Sequence, residues 1–330
     1  MPRVAAIRVV GAVCGAILAL GAPQRPWLWA QATPEASAAL PAWLVRPAAT
    51  LRVASVQMRS SPEGPKNVAR IREHLRHCAQ QQVRVAVFPE CALTSYDADR
   101  IVRYAADELA AAQAEVAQAC RELGLYAVVG TPWIEGGKRY NSALVFDPAG
   151  RVIHRYHKIQ LAESWPEAGQ ELAVFPVDGV PCAILICHDE RYPELARLPV
   201  LAGARVLFYL SHESGLRQEH KLAPYRAQIQ ARAVENTVFV VQANAPANAD
   251  ATGSHGQSRL IAPDGNLIQE ASIFGEDVLV ATLDIRQATR ANALRSLTRG
   301  PLADWWRQGL AQVRIVQPEF AQPAASHGGR

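Results

Sequence analysis

From residue 51 onward, short apolar runs alternate with helical stripes. LRVASVQM (51–58) has the composition of a buried strand. Residues 66–82 form a helical pattern, with Val68, Ile71, Leu75 and Cys78 or Ala79 on one face. Residues 83–88 predict a short buried strand. Residues 101–123 predict one long amphipathic helix, apolar at Ile101, Ala105, Leu109, Ala112, Val116, Ala119 and Leu123, that stops at Gly124. Strands follow at 126–130, 142–146 and 152–157, the last two joined by the turn Asp147-Pro148-Ala149-Gly150. CAILIC (182–187) is a further buried strand. A short helix at 193–203, a strand at 205–210, a helix at 221–236 and a strand at 238–242 come next. Residues 259–261 and 267–268 flank Pro263-Asp264-Gly265 as a hairpin, and 278–284 is the last clear strand. Strands alternating with helices predict a layered α/β fold.

No linker interrupts 51–300, so one domain is expected there. The tail 301–330 does not read as core. Its adjacent Trp305 and Trp306 suit either a cap on the domain or an oligomer interface.

The first residues read as an address. Arg3 and Arg8 precede the apolar run VVGAVCGAILAL (9–20), and Ala30-Gln31-Ala32 offers a small-x-small cleavage site. Residues 1–32 are therefore expected to be an export signal, placing the mature protein in the periplasm or outside the cell. The apolar run is too short to span a bilayer core of about 30 Å, so no stable membrane insertion is expected after cleavage. Residues 33–50, rich in Ala and Pro, read as a linker.

Charge adds one observation. Of 34 basic residues only four are lysines: Lys66, Lys138, Lys158 and Lys221. The formal net charge is +4. Losing Arg3, Arg8 and Arg25 with the signal lowers it to +1, so no nucleic-acid partner is expected. Six cysteines in 330 residues are too few for a disulfide scaffold. His74, His77 and Cys78 have zinc-like spacing, but no second cluster completes a site. His154 and His157 would point to opposite faces of a strand. No metal and no cofactor are expected.

Three chemically distinct residues each sit just past the end of an apolar strand: Glu90, Lys158 and Cys187. In open α/β sheets that edge is where ligands bind. Cys187 suits a nucleophile, given a base beside it or a lowered pKa. Glu90 emerges from a dry strand, where partial burial would tune it as a general base. Lys158 offers a compact cation for a developing oxyanion. Each also has a plain alternative: a core cysteine, an arginine-paired acid, a solvated lysine. His188 and His212, also at this edge, suit substrate contact or structural roles, and Tyr96 and Trp165 could wall a pocket.

FPECALTSY (88–96), YHKIQL (156–161), ICHDERYPELAR (186–197), ARAVEN (231–236) and GQSRLIAPDGNLIQEA (256–271), in this order, resemble the nitrilase superfamily of carbon–nitrogen hydrolases. The resemblance covers about residues 51–285. It implies a four-layer αββα sandwich with Glu90, Lys158 and Cys187 as a Glu–Lys–Cys triad. It also implies a second glutamate in the loop ESWPEAGQE, with Glu163 favoured over Glu167, and assembly into at least a dimer. The activity implied is hydrolysis of a non-peptide C–N bond in a small molecule, through a thioester and without a metal or cofactor. His-Asp follows the cysteine where true nitrilases have Trp-Glu, which points to amide or N-carbamoyl substrates over nitriles. A catalytically silent binding protein on the same fold is the rival from another class, and a metal hydrolase is a second one.

Overall fold

The computed structural model describes residues 40–217 and 222–318. The expected signal, the first part of the expected linker and the end of the tail lie outside the described residues.

The fold begins earlier than the sequence suggests. Residues 33–50 are expected to be a linker, yet helix α1 (Ala42–Val45) seats Leu44 against Gly203. Ala48 donates its N–H to the Gly179 carbonyl. Strand β1 (Thr50–Gln57) then leads through helix α2 (Gly64–Gln80) to β2 (Val85–Val87).

The expected helix over 101–123 is in fact two. A short α3 (Ala98–Ile101), whose first turn is capped by Asp97, ends before Tyr104. A separate α4 (Ala106–Leu123) starts where the Glu108 carboxylate accepts the Ala105 N–H at 2.8 Å. The apolar periodicity runs through the break, but the acid three residues into the second helix restarts it.

Strands β3 (Tyr126–Glu135) and β4 (Lys138–Phe146) form a hairpin longer than the expected 126–130 and 142–146. It closes at Gly136-Gly137, both at positive φ. β5 (Val152–His157) follows. β6 (Leu172–Val177), not anticipated from the sequence, pairs with β7 (Val180–Ile186) across Asp178-Gly179. Pro176 argues against a strand in general. Here it faces Pro181 at the hairpin end, and the Asp-Gly pair at φ 49 and 78 is the signal that marks the turn.

A 3₁₀ turn at Cys187–Arg191 precedes α5 (Pro193–Ala202), β8 (Val206–Ser211), α6 (Leu222–Val234) and β9 (Phe239–Asn244). The expected hairpin is β10 (Arg259–Ile261) with β11 (Leu267–Glu270), and β12 (Asp277–Asp284) returns to pair with β1. The chain continues through α7 (Ala291–Arg295), α8 (Ala303–Leu310) and β13 (Val313–Ile315). The tail from 301 is therefore no appendage in its described part. β13 pairs with β6 at the sheet edge, and Gly309 of α8 lies against Leu198 of α5.

The strands make two mixed sheets, ordered β12-β1-β2-β3-β4-β5 and β11-β10-β9-β8-β7-β6-β13. Side chains alternate across each strand. Val53, Val85, Val87 and Val128 of the first sheet meet Phe175, Cys182, Ile184 and Phe208 of the second in a core between the sheets. Ala54, Ala86, Ala127 and Val129 turn outward onto Val68, Ile71, Leu75 and Val116 of α2 and α4. Both faces of the first sheet are covered, which is why its strands read as nearly continuous apolar runs. With α5 and α6 outside the second sheet, this is the expected αββα sandwich.

Candidate active site

Cys187 follows β7, Lys158 follows β5, and Glu90 follows β2, so each is delivered by the strand that precedes it. Glu90 and Lys158 are fully buried and face each other, with Lys158 Nζ 2.9 Å from Glu90 Oε1. Gly130 of β3 permits the Glu90 turn. A Cβ there would lie 2.3 Å from the Pro89 carbonyl and 2.7 Å from Glu90 Cα.

His212 joins Glu90 and Cys187. Its N–H donates to Glu90 Oε2 at 2.9 Å, and its carbonyl lies 3.8 Å from Cys187 Sγ. Cys187 stands at φ 43, a left-handed conformation unusual for a residue with a Cβ. Such strain concentrates at functional sites. Of the five described cysteines, all free, the other four are buried and Cys187 alone is partly open.

Glu163, not Glu167, reaches this group. Its Oε1 lies 2.6 Å from Lys158 Nζ and accepts the Tyr96 hydroxyl at 2.5 Å. Glu167 is exposed and uses its backbone N–H to bond Arg139.

Two members of the constellation were not singled out in the sequence. Asn141 of β4 donates to Glu90 at 2.7 Å and to Glu163 at 3.2 Å. Asp189, fully buried, accepts the N–H groups of Gln160 and Ile186 at 2.8 and 3.0 Å and the Tyr156 hydroxyl at 2.8 Å. It thereby ties the lysine loop to the cysteine turn. Nothing in their local sequence marks Asn141. Asp189 had a signal in its place two residues after the cysteine.

The charges are arranged unequally. Burial pushes the Glu90 carboxyl up to about 7, with the Glu163 charge adding to the rise and Lys158 opposing it. Burial also works against ionised Glu163, but Lys158 and the Tyr96 hydroxyl outweigh it and hold that carboxyl at about 2. Burial likewise opposes the Lys158 charge. The carboxylates of Glu90 and Glu163 and the Cys187 sulfur prevail and keep the ammonium protonated well above its usual range. The Cys187 thiol is raised well up, by burial first and then by Glu90. The turn after it does not make it acidic, so the resting pair is a thiol beside a carboxyl that titrates near neutrality.

Tyr96, Cys187, His188 and His212 all line one cavity of about 560 Å³, a size suited to a small molecule. The Tyr96 ring stacks on His212 at 4.5 Å. Burial, then His255, lowers the His212 imidazole to about 4, so it is neutral at pH 7. Trp165 is half-buried and is not part of this wall. Cys78, which with His74 and His77 had metal-like spacing, is packed in the outer core. Among the described residues no group of three or more His, Cys, Asp or Glu is placed to hold a metal ion. No helix among them is long and apolar enough to cross a membrane.

The four-layer sandwich thus gathers a glutamate, a buried lysine and a cysteine at neighbouring strand ends, with the cysteine open to the cavity, in a hydrolase of the nitrilase fold. The carbon-nitrogen hydrolase family model matches residues 52–293, and the chain belongs to that family. It is 29% identical over 210 residues to the 2-oxoglutaramate amidase of Bacillus subtilis (strain 168), covering 62% of this chain and 79% of that protein. It is 29% identical over 251 residues to the omega-amidase NIT2 of Danio rerio, covering 71% and 88%. In three dimensions it is similar to Saccharomyces cerevisiae Nit3, at TM-score 0.68 and 23% identity over 76% of this chain and 96% of that one. A Nesterenkonia sp. amidase aligns at TM-score 0.66 and 24% identity, over 74% and 95%.

Proposed function

We propose that this enzyme hydrolyses the C–N bond of a small-molecule amide through a thioester on Cys187, releasing ammonia or an amine. The observation that carries the reading is the bracket formed by His212, whose N–H bonds Glu90 and whose carbonyl lies against Cys187, while Lys158 sits against Glu90.

Glu90, ionised near pH 7, takes the Cys187 proton as sulfur attacks the carbonyl carbon. The carbonyl oxygen becomes an oxyanion, stabilised by Lys158 and by the His188 backbone N–H. A donor of this kind is typically worth about 3 kcal/mol. Protonated Glu90 then gives its proton to the departing nitrogen, the C–N bond breaks, and a thioester remains. Glu90 next takes a proton from water, whose oxygen attacks the thioester carbon. The carboxylic acid leaves, and the thiolate recovers its proton from Glu90. Glu163 keeps Lys158 charged and in place, and Asn141 orients both carboxylates.

Two curated relatives are named as amidases acting on 2-oxoglutaramate or as omega-amidases. A glutamate-to-glutamine mutant of the Nesterenkonia amidase shows Michael addition of acrylamide at its active site cysteine. The test is ammonia release from a panel of amides, N-carbamoyl amino acids and nitriles. Amides should be turned over, and Cys187→Ala should lose at least about a thousandfold in kcat. Full activity in that variant would sink the triad. Turnover of nitriles alone would replace the substrate class.

A further inference from the structure

Two carboxylates in the cavity have no part in the chemistry just described. Glu190 lies in the turn that carries the nucleophile, and Glu213 follows His212. Both line the cavity, and they are only 1% and 3% exposed. Glu213 accepts from Gln242 at 2.7 Å on one oxygen, and its other oxygen lies 2.8 Å from His255 Nε2. Glu190 Oε2 is buried with no hydrogen-bond partner.

The surrounding arginines bond elsewhere. Arg259 donates to Gln242, Gln257 and Glu270. Arg232 donates to the Glu190 backbone carbonyl and to Glu235. Arg191 donates to the Tyr225 hydroxyl and lies 5.2 Å above its ring. A buried carboxyl left without a donor is destabilising unless a ligand supplies one. Burial, and then the charge of Glu213, push the Glu190 carboxyl well above the usual range, and Arg191, which also lines the cavity, Arg259 and Arg232 oppose that rise.

We infer that the Glu190–Glu213 wall is a subsite for a cationic group on the substrate, so that the enzyme selects amides carrying an ammonium a few carbons from the scissile carbonyl. The inference rests on the amide-hydrolase reading. An ammonium offers three donors. One would meet the unpartnered Glu190 oxygen, and its charge would offset the two buried carboxyl groups. A carboxylate in the same place would face Glu213 and be repelled. Glu190 stands three positions after Cys187 in one turn, and both line the same cavity, so substrates with a short alkyl chain are the ones to test.

Three probes of matched length separate the possibilities: 4-aminobutanamide, pentanamide and succinamate. The cation should exceed the neutral amide in kcat/KM by about tenfold or more, and the anion should be poorest. Glu190→Gln and Glu213→Gln should each reduce the cation-to-neutral ratio toward one. Equal turnover of cation and neutral amide by the native enzyme would overturn the inference, as would an unchanged ratio in both variants.

A second readout needs neither turnover nor a variant. n-Butylammonium should slow alkylation of Cys187 by iodoacetamide more than n-butanol does at the same concentration. Equal protection counts against the subsite. The parent reading fails differently: no ammonia from any of the three amides, whatever the protection assay shows. The protection assay would then still decide whether the wall binds cations.

Discussion

In the proposed mechanism Glu90 must give up its proton before it can take one from Cys187. Its carboxyl titrates near 7, whereas the carboxylates beside Lys158 outweigh its burial and leave it charged through that range. The base form is therefore lost as pH falls, and kcat/KM should drop about tenfold per unit below pH 7. An ordinary exposed glutamate would place that limb near about 4. A pH profile of ammonia release checks this, and activity level from pH 7 to pH 5 would remove Glu90 from the role of base. At this scale the sequence was informative where a reactive residue ends an apolar strand, as Glu90, Lys158 and Cys187 all do. It was silent on Asn141, whose neighbours Tyr140 and Ser142 look like any strand. The residues it bonds lie 51 and 22 positions away, and such pairs are invisible to periodicity. Trp165 shows the opposite limit: an aromatic in the right loop need not face the pocket.

At the scale of elements, the site depends on strands that carry no reactive group. β3 runs beneath the Glu90 turn only because Gly130 has no Cβ. In Gly130→Ala the new methyl would meet backbone at 2.3–2.7 Å, which rigid chain cannot yield. The turn must move, and misplacing a catalytic group by about 1 Å can cost on the order of a hundredfold in rate. A fall in kcat of that size, with circular dichroism showing a folded protein, is expected. A variant with native kcat would show that the turn is not held by this approach.

β5 carries a different liability. It inserts His154 into the core against Phe175, at 4.8 Å between rings, with Nδ1 unpartnered. Burial, assisted by Arg314, lowers this imidazole to about 3 from 6.5. Because its folded pKa is depressed, the unfolded chain takes up a proton below about 6.5 while the folded chain does not. Stability should therefore be lost as pH falls, by about 2 kcal/mol between pH 6.5 and 5. Urea unfolding at the two pH values should show this loss in the native protein and a smaller one in His154→Phe. Equal losses would mean that His154 protonates within the fold.

At the scale of the whole molecule, alternation of strand and helix was enough to predict layers. The motif order supplied the expectation of an αββα sandwich, because strand pairing across the fold is not written in local pattern. The edges of the domain escaped for a related reason. Residues 41–49 and 301–318 are short segments without a sustained apolar pattern, and acquire their meaning only from what they cover. β13 pairs in parallel with β6 through Val313, Arg314 and Ile315, and Arg314 also reaches Glu171 at 2.7 Å. α8 lies on α5, with Gly309 against Leu198 and Arg197 over the Trp306 ring at 5.8 Å. Ending the chain at residue 300 would leave the outer edge of β6 with unpaired backbone groups and uncover an apolar face of α5. An exposed edge strand of this kind templates association between chains. The shortened protein should unfold at lower temperature and aggregate on gel filtration, while a chain ending at 318 keeps every one of these contacts and should behave as the full one does. Glu90, Lys158 and Cys187 lie on other strand ends, so soluble protein recovered from the shorter chain should still alkylate at Cys187. If the chain ending at 300 matched the longer one in melting temperature and elution, β13 and α8 would be ornaments on a core that closes without them.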